Sequence, residues 1–334
     1  NDIFFHRNRL GVLADENVIM SRSGEFFEFF PETVTSALDT DPIDVASTHT
    51  KVSILQHAVS FDEELLLFSE QSQFMVTGGA TLTASNISIN VTTEFEADKR
   101  VKPVGSGSNV FFTFNKGNFS GVREFFVASD TDTKKADDIT ANVPKFIPAN
   151  VFKLATSTTE NILIALSSDE DNALYVFQYY VAQNKRLQSA WHKWTYGSTT
   201  SDKILNIDFI ENTLFIVNER SDGVYLETID VSPALTDTGE TYLTHLDRKI
   251  NNTQITESYN AGTNQTTITL PYTITNTMKV VGRSGASNKA GQEIATVSQS
   301  GTSIVVSGDI TAQNFFIGEQ YEFEFQFSQQ FIQV

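Results

Sequence analysis

Strand-length runs recur along nearly the whole chain, each broken within a few residues by turn formers, and little else constrains the fold as strongly. Asn86 to Thr92 alternates Ile87, Ile89 and Val91 with Ser88, Asn90 and Thr92. That strict period of two belongs to a strand with one buried face. Arg9 to Ala14 and Asn17 to Ser21 flank Asp15-Glu16 as a hairpin, and Glu25 to Phe30 reads as a further strand ending at Pro31. Ser53 to Val59, Glu64 to Ser69 and Gln73 to Thr77 are three more strand-length runs. Val110 to Asn115 and Val122 to Val127 flank Lys116-Gly117-Asn118. Asn161 to Leu166, Ala173 to Ala182 and Trp191 to Tyr196 continue the series, and Ile204 to Ile210, Thr213 to Asn218 and Gly223 to Ile229 form a meander. Helix signals are confined to one short turn at Asp41 to Val45, with Pro42 near its start, and another at Ala136 to Ile139. The polar run Asp130 to Asp138 reads as a loop.

Many short strands at close spacing predict an all-β chain: a sandwich, barrel or propeller. Four-stranded units of about 40–50 residues would fit propeller blades, although no exact repeated motif is visible, so a propeller here would be irregular. Composition shifts near Thr244 to Arg248, beyond which Thr, Asn, Gly and Ser dominate. The expected organisation is an irregular β-propeller-like main domain over residues 1–248 and a smaller β-sandwich-like or barrel-like domain over 249–334. In the latter, Thr266 to Leu270, Ile294 to Val297, Ser303 to Val306 and Phe315 to Ile317 are strand-length runs. Tyr321 to Phe327 is the clearest amphipathic strand, with four aromatics on one face.

The chain carries 23 basic and 41 acidic residues, a formal charge of −18. A fold that grips nucleic acid displays Lys and Arg against phosphate, and no such stripe is present. The densest basic stretch, Lys99-Arg100-Val101-Lys102, is offset by Glu96 and Asp98 and reads as a solvated loop. The absence of cysteine excludes disulfides, zinc–thiolate sites and cysteine nucleophiles within these residues. No apolar run approaches the roughly 20 residues that span a bilayer as a helix. The start lacks Met and a signal-like leader, and the final residues lie in a strand-like run, so part of a longer protein is expected.

Motifs that carry chemistry are scarce. No Gly-x-Ser-x-Gly elbow occurs, and Gly105-Ser106-Gly107-Ser108 lacks the Lys and helix start of a phosphate-cradling loop. His6, His49, His57, His192 and His245 show no metal-ligand spacing. Asp39, Asp41 and Asp44, and likewise Asp169-Glu170-Asp171, have either a cation-binding or a turn-forming reading, and turn chemistry is preferred. Two carboxylates across a cleft would support glycoside hydrolysis, with Trp191 and Trp194 stacking on sugar rings. Sequence does not single out such a pair. No catalytic, cofactor-binding or metal-binding residue is nominated.

Several stretches carry a family resemblance. They are Phe5-His6-Arg7-Asn8-Arg9-Leu10-Gly11, Glu16 to Arg22, Asp41 to Val45, Val52 to Leu55, Glu64 to Ser69 and Gln73-Phe74, then Ser189 to Trp194 and Phe316-Ile317-Gly318. In order and spacing they resemble the tail tubular protein B (nozzle protein) family of short-tailed bacteriophages. The resemblance implies a non-enzymatic virion protein, assembled in the host cytoplasm into a homo-hexameric ring below the tail adaptor, near tail fibres or spikes. It implies an irregular propeller with added β-domains. It also implies a channel that retains double-stranded DNA and conducts it during ejection without binding it specifically.

Acidic charge suits a conduit, because Lys or Arg on phosphate would slow passage. It equally keeps a soluble protein soluble. Phe26, Phe27, Phe29 and Phe30 can serve packing within the chain or between subunits. A tail-associated glycan depolymerase and a receptor-binding β-propeller are the alternatives, separated by sugar cleavage and by adhesion to host cells.

Overall fold

The computed structural model describes residues 1–48, 53–61, 63–79, 81–128, 133–182, 185–196, 202–233, 235–285 and 289–326. His49, Val52, residues 130–132 and Phe327 lie outside them. Its regular structure is β throughout, save one short turn of 3-10 helix at Asn252–Gln254. Cα proximity divides the chain into two compact units: residues 1–195 with 204–216, and residues 196–203 with 217–334.

The first unit is a series of sheets, each made from consecutive strands. β1 (Asp2–His6), β2 (Arg9–Ala14), β3 (Asn17–Met20) and β4 (Ile43–Ala46) form the first, in chain order. β5 (His57–Phe61), β6 (Glu64–Phe68), β7 (Gln73–Thr77) and β8 (Ser88–Thr93) form the second. The third contains β9 (Val104–Ser106), β10 (Asn109–Lys116), β11 (Phe119–Ala128) and β12 (Thr133–Asp138), with β13 (Ile147–Pro148) also on β11. β14 (Val151–Ser157), β15 (Ile162–Ser167), β16 (Glu170–Ala182) and β17 (Lys185–Thr195) complete the fourth. Next in the chain comes a three-stranded meander, β18 (Lys203–Ile210), β19 (Thr213–Arg220) and β20 (Gly223–Asp230); the first unit ends within β19, and β20 is counted with the second.

Period two explains how these sheets stack. Successive residues of β6 point to opposite faces, yet Leu65, Leu66, Leu67 and Phe68 are all buried. Leu65 and Leu67, with Phe74 and Val76 of β7, join Phe4, Leu13, Val18, Met20 and Ile43 of the first sheet. Leu66, Phe68 and Met75 join Val110, Phe112 and Phe125 of the third. Phe111 and Val122 turn the other way, onto Leu163, Ala165, Tyr175 and Phe177 of the fourth. A sheet covered on both faces needs continuous apolar runs, and this is why β6 and β15 lack alternation. The first strands of successive sheets adjoin (β1 beside β5, β5 beside β9, β9 beside β14), and so do the last strands β4, β8 and β12. Stacked consecutive meanders of this kind are the propeller-like body that the sequence predicts. Each fully buried Leu or Phe contributes about 1.5–3 kcal/mol, so truncating Leu66 or Phe111 would open a void between two sheets.

The second unit holds two four-stranded sheets. One runs β21 (Asp247–Asn251), β28 (Phe315–Glu319), β24 (Met278–Gly282), β25 (Glu293–Ile294). The other runs β22 (Thr256–Asn260), β23 (Gln265–Thr269), β27 (Ser303–Ser307), β26 (Thr296–Ser300). Ile268, Ile304 and Val306 of one sheet and Met278, Val280, Phe315 and Ile317 of the other share one core, which makes a β-sandwich.

Four local expectations are corrected. Ile43–Ala46 is strand β4, paired with β3 from Ile43↔Met20 to Ala46↔Asn17, instead of a helical turn. Pro42 sits just ahead of it, where no ladder donor is lost. Thr133–Asp138, read as loop and helix start, is β12 on the outer edge of the third sheet; its polar residues face solvent and its pairing to β11 decides its state. Glu25 to Phe30 is no strand: Arg22 bridges to Glu25, and its N–H is 2.8 Å from the Glu28 carbonyl. The amphipathic run at 321–326 forms no ladder. In addition, β5 begins at His57, so Ser53 to Gln56 precede it without strand pairing.

Candidate functional site

Two of the stretches that carry the family resemblance, Phe5 to Gly11 and Glu16 to Arg22, build the first hairpin and the strand beside it. β1 and β2 pair from Asp2↔Leu13 to His6↔Arg9, leaving Arg7 and Asn8 as a two-residue turn. Both have positive φ, +44° and +59°, as a turn matched to the strand twist requires. Arg9 comes next and is almost fully buried. Its Nη1 donates to the carbonyls of Ser21 (2.7 Å) and Asp41 (2.7 Å), and its Nη2 to those of Asp39 (2.8 Å) and Leu82 (3.2 Å). One guanidinium therefore ties β3, the loop before β4 and the loop after β7. Burial lowers its pKa, while Asp41 opposes the shift. Gly11 lies under the Phe4 ring, where a Cβ would come within 2.1 Å of Cζ. The motif is a hairpin lock and holds no reactive group.

A cleft of about 670 Å³ opens beside it, lined by Phe5, His6, Arg7, Ser60, Glu63 and Glu64, among others. Arg7 is committed to the carbonyls of Gly79 (2.6 Å) and Glu63 (3.3 Å). Glu64 pairs with Lys134 at 3.4 Å. Glu63 and Glu64 are adjacent at the start of β6, not placed across the cleft as acid and base would be.

The other singled-out residues take structural places. Burial lowers the pKa of His6 (Arg7 adds to this), His57 and His192. His57 Nε2 is 2.8 Å from the Lys99 carbonyl, and His245 is exposed. Asp41 accepts the Leu38 N–H at 2.8 Å, which is turn chemistry, and Asp44 lies exposed on β4. Asp169 accepts from Asn150 at 2.8 Å; Glu170 accepts from Lys193 at 2.8 Å and from the Tyr175 hydroxyl. Among the described residues no three His, Asp or Glu side chains gather as a metal set. Ser106, read in the sequence as part of a Gly-rich loop, ends strand β9 and meets the Tyr179 hydroxyl at 3.0 Å, buried. Trp191 donates to the Ile139 carbonyl at 2.9 Å and packs on Phe177 at 5.0 Å. Trp194 lies three positions on, so its side chain takes the opposite face of β17 beside His192, and the two indoles form no common platform.

Charge and exposed apolar surface remain as functional features. Every cation of the densest basic stretch is paired: Lys99 with Glu70 (2.6 Å), Arg100 with Asp98 (2.7 Å), Lys102 with Asp2 (2.8 Å). Burial raises the Asp98 carboxyl, but the hydrogen bonds from Arg100 outweigh it and hold the group below the usual carboxylate range. Within the loop between β3 and β4, Phe26 packs edge-on against Phe5 (5.4 Å), whereas Phe27 and Phe30 are 89% and 79% exposed. Sequence reasoning named these rings but placed them in a strand; the turn that exposes them depends on Arg22, a contact without a sequence signal.

The comparisons with known proteins agree with this inventory. A tail tubular protein, gp12 of Escherichia phage T7, is 34% identical over 273 residues, which cover 81% of this chain and 34% of that protein. The chain thus spans about a third of the length of that relative. Among solved structures, Kluyveromyces lactis Hsv2p covers 80% of the chain and 78% of its own at TM-score 0.42 and 10% identity. The WD40 domain of Toxoplasma gondii coronin covers 96% and 81% at TM-score 0.37 and 9% identity. These likenesses are too loose to argue from, and the fold rests on the sheet order above. The sequence model of the bacteriophage nozzle protein family matches residues 1–334 from end to end. The chain belongs to the bacteriophage nozzle protein family and is a constituent of the virion tail.

Proposed function

We propose that this chain is part of a nozzle subunit in a six-membered ring below the tail adaptor, which retains the genome and conducts double-stranded DNA at ejection. In this reading residues 1–248 form the propeller-like body and 249–334 the smaller domain. Fibres or spikes adjoin the ring, and no catalytic, cofactor or metal site is needed.

The observation that carries the reading is the neutralisation of Lys99, Arg100 and Lys102 by Glu70, Asp98 and Asp2 in a chain of net charge −18. Retention by phosphate contacts requires unpaired Lys or Arg, and this stretch offers none. Six copies would carry roughly −108, a field that repels the duplex near the lumen and is screened beyond about 8–10 Å. Exposed Phe27 and Phe30 supply apolar surface for a closed head-to-tail contact.

The test is genetic. Particles assembled without this protein should package DNA and then lose it, or fail to eject it. Particles that lack the protein yet hold and deliver their genomes normally, and are defective only in sugar cleavage or adhesion, would refute the conduit.

A further inference from the structure

We propose that in the full-length protein Tyr321–Phe325, which lies outside any ladder in this structure, pairs along the open edge of β20 as the fourth strand of the β18–β20 sheet. The four sheets before it have at least four strands each, whereas this one has three and ends in β20. Edge strands are normally blunted by Lys, Pro, a bulge or a cover. Gly223–Asp230 contains neither Lys nor Pro, and Val224 and Leu226 are 61% and 69% exposed on one face.

The sandwich strands are arranged as a unit looped out of another element. Its first and last strands, β21 and β28, are hydrogen-bonded neighbours, and Asp247 lies opposite Glu319. The chain therefore leaves the sandwich where it came in, the arrangement that permits insertion into a surrounding fold. β20 is the last strand before the sandwich, and Tyr321 stands just past its final strand. Arg248 joins the two sides: it is 3.6 Å from Glu227 of β20 and 3.1 Å from Glu319 at the end of β28. The outgoing chain thus starts within one guanidinium of the open strand.

The segment itself has the required pattern. Tyr321, Phe323 and Phe325 alternate with Glu322 and Glu324, a period of two, and the run is outside any ladder, with Phe323 85% exposed. Paired with β20, it would set Phe323 and Phe325 beside Val224 and Leu226, covering apolar surface on both strands and satisfying the edge amides of β20. In chain order the sandwich strands then fall between the third and fourth strands of one sheet.

Residues 1–334 contain no cysteine, so within them only the introduced pair can cross-link, and the same oxidation of the parent full-length protein is the blank. Phe323→Cys is combined in turn with Val224→Cys, Leu226→Cys or Thr228→Cys; Glu322→Cys with Leu226→Cys is the off-face control. After mild oxidation, one same-face pair should close within a single chain, read as thiol loss at monomer mobility on a non-reducing gel, while the control stays open. Cross-links solely between chains, or none in any pair, would overturn the proposal. Hydrogen exchange of the same protein is the second readout. Amides 224–228 should be protected, and Phe323→Pro should release them while leaving Ile304–Val306 slow; equal exchange in both proteins would also overturn it.

Discussion

The Phe4 ring occupies the space beside Gly11 on the neighbouring strand, its directly opposed partner, with ring carbons 2.1–2.7 Å from where a Cβ would stand. The same relationship recurs in the third sheet, where Phe114 covers its opposite number Gly121 at 2.3–3.0 Å. In both hairpins the glycine stands seven positions after the Phe, around a two-residue turn, and Val comes directly after it. An aromatic over a strand glycine fills the space that the missing side chain leaves. Gly11→Ala or Gly121→Ala should therefore destabilise by about 1–3 kcal/mol, because a buried ring must move. Gly105→Ala, whose Cβ would meet only ordinary contacts at 3.9 Å, serves as the control. Denaturant melts of the three variants compare them; equal midpoints would dismiss the ring contact as a source of stability.

Arg9 supplies a second lock. Arg9→Met keeps the bulk but strands buried carbonyls of Ser21, Asp41 and Leu82. Each unsatisfied group costs about 1–3 kcal/mol, so a loss of several kcal/mol in total is expected. Arg9→Lys should recover only part of it, since one ammonium does not reproduce a planar fork reaching four carbonyls on three segments. Full recovery by Lys in chemical denaturation would contradict the role of the fork.

Asp98 predicts a pH dependence with a definite sign. Its carboxyl is held below the usual range in the folded chain, so the stability it contributes is present above the unfolded carboxylate pKa and is lost as pH falls through the lower folded value. Asp98→Asn should destabilise at pH 7, and wild type and variant should converge in acid. A difference that stays constant from pH 7 down to pH 2 would show that the pair with Arg100 is not responsible.

Phe27 and Phe30 should separate folding from assembly. Both are largely exposed, so Phe27→Ser with Phe30→Ser should change stability by no more than about 0.5 kcal/mol. If the rings serve contacts between subunits, the same double variant should enter fewer tails. Normal incorporation with unchanged infectivity would remove them from the assembly surface.

How much of this was legible in the sequence depended on where each strand lies. Strands covered on one or both faces, such as β6, β7, β10, β15 and β16, announce themselves through apolar runs, and their limits were read to within a few residues. β12 was missed because it is an outer strand whose Lys135 and Asp137 are exposed; its state is set by pairing with β11, which is a tertiary effect. β4 was misread because Pro42 after Asp41 looks like a helix start, and Glu25 to Phe30 because aromatic content imitates a strand. The Phe–Gly pairs of the first and third sheets were present as Phe4–Gly11–Val12 and Phe114–Gly121–Val122. So few matching positions, spread over so short a stretch, are hard to notice before the register aligns them. The functional reading came from resemblance, because the matched residues are locks and turns. Asp98 beside Arg100 was visible in the sequence, but the pairing of Lys99 with Glu70 and of Lys102 with Asp2, 100 positions away, could be seen only in the fold.

The most direct measurement is electron cryo-microscopy of the intact particle with six-fold averaging of the tail. The account predicts that this sequence, marked by Trp191 and Trp194 on opposite faces of β17 and by the Phe4–Gly11 and Phe114–Gly121 pairs, fits density in a ring around the channel, with the Lys99–Lys102 cations turned onto their acids. Density that places the chain in a peripheral spike, or that shows its lysines and arginines free and aimed at the DNA, would contradict it.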